Sequence, residues 1–211
     1  MRVGPPSGRT LHQRITLEGG ATLRLRADEV TALGLTPGMD LDGPTWDRLR
    51  RSAQASAALT SALRLLAVRL RSRREIEVRL GRKGYPPEIV ASVVAQLDDE
   101  GLLDDVRFAN AWVAGRLALR PSGTARLRSE LREKGVAADV IEQVLHAAIP
   151  EDAERTQAVA LAQARARRYR GEPREVAVRR VAGVLQRRGF SPGAVIAALR
   201  EVFGRSAQVV E

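Results

Sequence analysis

The sequence predicts a mainly α protein: three tandem three-helix repeats in an array, with a small N-terminal β-hairpin as an appendage. Three observations carry this. A phrase of basic amphipathic helix, glycine and second apolar-faced helix is written three times, in residues 77–94, 129–145 and 182–199. Its glycines, Gly84, Gly135 and Gly189, lie 51 and then 54 residues apart. The same apolar positions recur around each: Ile76, Leu127 and Val181 eight residues before, Leu80, Leu131 and Leu185 four before, Tyr85, Val136 and Phe190 just after. Val94, Leu145 and Leu199 follow ten residues later. Self-similarity at such a period marks stacked supersecondary units, each too small to bury a sufficient core alone.

The elements follow in order. Residues 14–17 and 21–25 alternate apolar and polar around Glu18-Gly19-Gly20, which reads as a β-hairpin. Asp28 is the expected cap of a short helix over residues 29–33 that ends at Gly34. A lone hairpin is marginal, so this segment is expected to pack on the first repeat. Helical signals begin near Thr45, and Leu59, Leu63, Leu66 and Leu70 form the expected buried stripe of the first repeat's opening helix. Ser72 is placed to cap the second helix and Gly84 to close it; Pro86 or Pro87 opens the third, which runs to Gly101. In the second repeat Asp104 or Asp105 caps a helix through Phe108, Trp112 and Leu117, and residues 121–123 break the chain before the shared phrase. The third opens through Ala158, Val159, Leu161 and Tyr169 and breaks at residues 171–173. The expected organisation is therefore residues 1–45 for the hairpin and short helix, then repeats at 46–103, 104–150 and 151–204, and a frayed tail at 205–211.

Each repeated glycine is best explained as the left-handed residue that stops a helix, a conformation that costs a side chain with Cβ about 1–2 kcal/mol. A phosphate-cradling loop would need further glycines and a Gly-Lys-Ser/Thr sequence, which this chain lacks.

Composition narrows function. The 211 residues contain no cysteine, which removes disulfides, thiolate metal sites and a cysteine nucleophile. No apolar h-region opens the chain and no apolar run is long enough for a bilayer, so the expected location is the cytoplasm, with no membrane partner. The net charge of +10 predicts an anionic partner, nucleic acid by default.

The charge is concentrated in the helix before each glycine. The candidate contact residues are Arg71, Arg73, Arg74, Arg79, Arg82 and Lys83; then Arg126, Arg128, Arg132 and Lys134; then Arg179, Arg180, Arg187 and Arg188. For any one of them a solvated cation favouring the helix dipole is an adequate account. Three recurrences in so basic a chain favour binding. The helices after the glycines offer almost nothing to read base edges, so backbone contact is expected instead of helix-turn-helix readout. Aromatics at 3% argue against base-stacking platforms. Asp98, Asp99, Glu100, Asp104 and Asp105 lack the spacing of a calcium loop, and His12 and His146 stand far apart. No nucleophilic or phosphoryl-transfer motif is present, so no enzyme, no metal and no cofactor is expected.

These residues resemble a known family, the RecX regulators of the RecA recombinase. The most specific match is EGLLDDVRFA at residues 100–109, supported by LRSRREI at 70–76, RPSG at 120–123 leading to ELREKG at 130–135, and RRGFS at 187–191. The stretch at residues 124–126 departs from the more basic, isoleucine-containing one the family implies. The resemblance covers roughly residues 60–202. It implies an elongated, curved body of three three-helix units, a monomer, that lies along the groove of RecA filaments on single-stranded DNA. It further implies damping of ATP hydrolysis, strand exchange and co-protease activity in recombination, DNA repair and the SOS response, with double-stranded DNA as a further candidate partner. The alternative reading is a free-standing, sequence-tolerant DNA- or RNA-binding helical repeat module.

Overall fold

A computed structural model describes residues 2–3, 12–18 and 20–204. The expected C-terminal tail lies outside these. The chain divides into two compact units, residues 1–103 and 104–211.

In the first unit, β2 (His12–Thr16) and β3 (Thr22–Arg26) pair antiparallel from His12↔Arg26 to Thr16↔Thr22, forming the expected hairpin. A further strand, β1 (Arg2–Val3), pairs antiparallel with β2 and was not anticipated. Two residues are too few to show alternation. Helix α1 (Ala27–Ala32) has Arg26, not Asp28, at its N-cap. The Arg26 backbone N–H donates to Glu29 Oε2 at 2.9 Å, while Asp28 sits inside the first turn and accepts from the Arg26 side chain.

Helix α2 (Gly43–Val68) starts where Asp42 accepts the Thr45 N–H at 2.8 Å. Its 26 residues serve two cores. Leu49 and Ala53 join Ile15, Leu25, Val30 and Leu35 under the sheet, which ties the appendage to the first repeat. Further along, Ala58 and Ala62 are buried against Ile76 and Leu80 of α3 (Arg73–Arg82) and Ile89, Val93 and Leu97 of α4 (Pro87–Asp99). This corrects the expected leucine stripe: Leu63 is 41% and Leu70 37% exposed. Small alanines take the centre of the contact because they let the neighbouring helices approach, while Leu59 and Leu66 flank it, partly buried. Ser72 caps α3 as expected, accepting the Glu75 N–H at 3.1 Å.

In the second unit, Asp104 caps α5 (Asp105–Leu119), which packs with α6 (Thr124–Glu133) and α7 (Ala138–Ala148) around Phe108, Val113, Leu127, Leu131, Ile141 and Leu145. Helix α8 (Glu151–Ala166), a 3-10 turn (Arg167–Tyr169), α9 (Arg174–Arg187) and α10 (Pro192–Phe203) close on Ala158, Ala162, Val181, Leu185, Phe190 and Leu199. Equivalent positions do equivalent work: Leu80, Leu131 and Leu185 have no exposed surface, and truncating any of them to alanine costs about 2–5 kcal/mol.

The three glycines stop their helices in one way. Their φ angles are +85°, +76° and +76°. Each glycine N–H bonds to the carbonyl three residues back, and the next residue (Tyr85, Val136, Phe190) donates to the carbonyl of Leu80, Leu131 or Leu185. This paired pattern is the Schellman stop.

Candidate functional site

The basic residues fall into two groups, cations already engaged and cations left in solvent. On α3, Arg73 pairs with Asp98 of α4 and Arg74 with Glu77 at 3.1 Å. Arg79, Arg82 and Lys83 are exposed, and among the described residues they carry no ion pair. Three cations thus end the helix, where its carbonyl dipole favours positive charge. Arg71 differs, being 7% exposed. Its Nε donates to the Leu65 carbonyl at 3.1 Å, so the guanidinium caps the last turn of α2. Burial lowers its pKa, and the charges of Arg69 and Arg79 add to that. Little of Arg71 remains on the surface.

On α6 most charge is matched. Arg128 makes a two-pronged pair with Glu142 of α7, at 2.6 and 2.8 Å. That hydrogen bond is the main cause holding the Glu142 carboxyl below its ordinary pKa. Arg126 reaches Glu130 at 3.0 Å. Glu130 also accepts Trp112 Nε1 at 3.0 Å and faces Arg116 Nε at 2.7 Å. Burial alone would raise the Glu130 pKa, but the hydrogen bonds from Arg126 and Trp112 and the Arg116 charge outweigh it, so the carboxyl lies below its usual value. Lys134 and Arg116 stand 4.9 and 4.7 Å from the Trp112 ring centre, as cation–π partners. Arg132 alone of the four candidates on this helix is exposed with no ion pair among the described residues.

On α9, Arg180 pairs with Glu172 and lies 5.3 Å from the Tyr169 ring centre. Arg179 and Arg187 are exposed and unpaired among the described residues. Arg188 reaches back to the Pro121 carbonyl at 3.3 Å. That contact belongs to a junction: Gly123 N–H donates to the Arg188 carbonyl at 2.9 Å and Ala125 N–H to the Gly189 carbonyl at 3.0 Å. The C-terminus of α9 therefore meets the N-terminus of α6, bringing the arginines of one basic helix to the start of the other. Opposed helix-end dipoles favour this meeting.

Glu154 of α8 holds the junction from beneath. It is 5% exposed and accepts from Thr124 N at 2.7 Å, Thr124 Oγ1 at 3.0 Å and Ser191 Oγ at 2.8 Å. One buried carboxylate so satisfies the N-termini of α6 and α10. Sequence reading missed Glu154 and Glu130 because a lone carboxylate on a helix carries no local signal of its distant partners. It also missed Arg64 and Arg120, exposed cations outside the shared phrase.

Among the described residues no group of three or more histidines, cysteines, aspartates or glutamates could hold a metal ion, and no helix is long and apolar enough to cross a membrane.

Fold and surface together define a class: a protein of tandem three-helix domains, each ending its second helix in cations and a left-handed glycine. Family models for the first, second and third three-helix domains of RecX match residues 58–97, 104–145 and 152–199. The regulatory protein RecX of Mycolicibacterium vanbaalenii is 40% identical over 148 residues, 67% of this chain and 78% of that one. That of Halorhodospira halophila is 45% identical over 152 residues, 69% and 88% of the two chains. A crystal structure of a regulatory protein RecX superposes with a TM-score of 0.76 at 24% identity over 96% of each chain, a likeness of fold. The chain belongs to the RecX family of regulatory proteins.

Proposed function

We propose that this chain inhibits the RecA recombinase by binding along the groove of the RecA–single-stranded DNA filament, damping ATP hydrolysis, strand exchange and co-protease activity. It acts as a cytoplasmic monomer, without cofactor or catalysis of its own. Family membership supports the partner. The observation that carries the binding mode is the recurrence of unengaged cations late in the second helix of each repeat: Arg79, Arg82 and Lys83, then Arg132, then Arg187, with Arg179 further back. A cation held by a neighbouring carboxylate has little charge left for a partner, whereas a solvated one is free to neutralise phosphate or acidic protein groups. The α9–α6 junction favours a continuous track across repeats two and three.

The test is ATP hydrolysis by preformed RecA filaments. Wild-type chain is expected to suppress it at stoichiometric ratios or below. A triple reversal, Arg82→Glu, Arg132→Glu and Arg187→Glu, is expected to keep its helical circular dichroism and require about tenfold more protein, or about 1.4 kcal/mol. No suppression by the wild type ends the proposal. On bare single strands, neutralising about six phosphates gives a log K against log salt slope of roughly −4. Tight binding of that kind without preference for filament would favour the free-standing nucleic-acid module.

A further inference from the structure

Among the described residues, Val68 and Leu119 stand apart from all other large apolar side chains, each 78% exposed where the next, Leu102, is 45%. They occupy one position of the repeat. Val68 lies four residues before the N-cap Ser72 of α3, and Leu119 four before the N-cap Gly123 of α6. Each ends the first helix of its repeat, and each is followed by an arginine in extended backbone, Arg69 or Arg120. At the same offset before Pro173, repeat three carries Tyr169 and Arg170, with the ring half-buried beside Arg180. An apolar residue followed by arginine is thus written three times outside the phrase that ends in glycine.

The two knobs differ in charge. Arg69 is held by Glu75 through two 3.0 Å hydrogen bonds. Arg120 is exposed with no ion pair among the described residues. Beside Leu119 opens a cavity of about 280 Å³, lined by Arg116, Arg120, Ser122, Arg126 and Glu130. Three guanidinium groups there face one carboxylate. Arg116 Nε approaches Glu130 without the alignment of a hydrogen bond.

We infer that the Leu119–Arg120 corner and its cavity form a protein-docking site, with Val68–Arg69 as its counterpart in repeat one. The occupant is a protein segment that sets a carboxylate beside an apolar recess. An aliphatic side chain gains from leaving water only against apolar surface, which a phosphate backbone does not offer. The unbalanced guanidinium groups complement an acid at the recess edge, and Arg120 is free to grip it with two hydrogen bonds. Repetition of the knob suits a partner that is itself built of identical subunits. This inference rests on the RecA reading and assigns these corners to the filament's protein, leaving the cations late in α3, α6 and α9 for phosphate.

The experiment compares full-length wild type with Val68→Ser/Leu119→Ser, and separately with Arg120→Gln, binding to fluorescent RecA–single-stranded DNA filaments and to the same DNA bare. Both positions are largely solvated, so melting temperatures should match. The expected result is at least a tenfold loss on filaments for the double variant, a smaller loss for Arg120→Gln, and no change on bare DNA. Undiminished filament binding by the double variant overturns the site while leaving the RecA reading intact. An equal loss on bare DNA also overturns it, making the knobs wedges between bases. Failure of the wild type to bind filaments sinks the RecA reading and this inference with it.

Discussion

Gly84 and Gly189 occupy the same place in the same repeated phrase, with φ of +85° and +76°, yet their surroundings have nothing in common. A Cβ added at Gly84 would meet open space. One added at Gly189 would fall 2.2 Å from Arg126 Cβ and 2.6 Å from Arg126 N. Both turns stop a helix; one is also the seat on which the preceding repeat's basic helix begins. The cations follow the same division. Around Gly84 they are solvated, whereas at the seat Arg188 and Arg126 are drawn into contacts with Pro121 and Glu130. A repeated sequence thus secures a repeated local structure, and burial against a neighbour gives one copy a second duty.

The largest expected effect breaks this contrast directly. Gly189→Ala should cost about 2–5 kcal/mol, combining left-handed strain with overpacking, while Gly84→Ala should cost about 1–2 kcal/mol from strain alone. Urea unfolding separates them, because Trp46 reports the first unit and Trp112 the second. Equal costs would mean the α9–α6 seat is not tightly packed in solution. Next in size is Glu154→Gln, which weakens the charged acceptor beneath the seat and should cost the second unit about 1–3 kcal/mol. Amide exchange at Thr124 and Ser191 should quicken in that variant; unchanged exchange would show the latch to be idle.

The smallest effect concerns Glu130. Its folded pKa lies below the ordinary value of 4.5, so its contribution to stability is present above that pH and is lost as pH falls through the folded pKa. The wild type should therefore lose more stability than Glu130→Gln on acidification below about pH 4.5. Parallel curves would show that Arg126, Trp112 and Arg116 do not favour the carboxylate.

Much of the fold was legible because its signals are local. Ser72 and Asp104 cap the helices they were expected to cap, and the Schellman glycines stop three helices at the expected residues. The misses share a physical cause. The leucine stripe of α2 gave way to Ala58 and Ala62 because closeness of approach, which periodicity does not encode, decides which face is buried. Strand β1 needs β2 to exist at all, and Asp28 lost the cap position to a helix that starts two residues earlier. Among the candidate contacts, Arg71 caps the preceding helix through the Leu65 carbonyl and Arg128 is held by Glu142 of the following helix; neither partner belongs to the element in which the arginine stands.

The sequence by itself determined where most helices start and stop, that the leucines of the shared phrase fill each core, and that each repeat ends its second helix in positive charge. Those properties depend on neighbours within a turn or two, and the chain repeats them. Beyond the i,i+3 and i,i+4 pairs such as Arg74–Glu77 and Arg126–Glu130, tertiary structure decided which cations stay free, since carboxylates on other helices quench a guanidinium, as Glu142 does Arg128. Only contact between repeats turned one glycine stop into a seat.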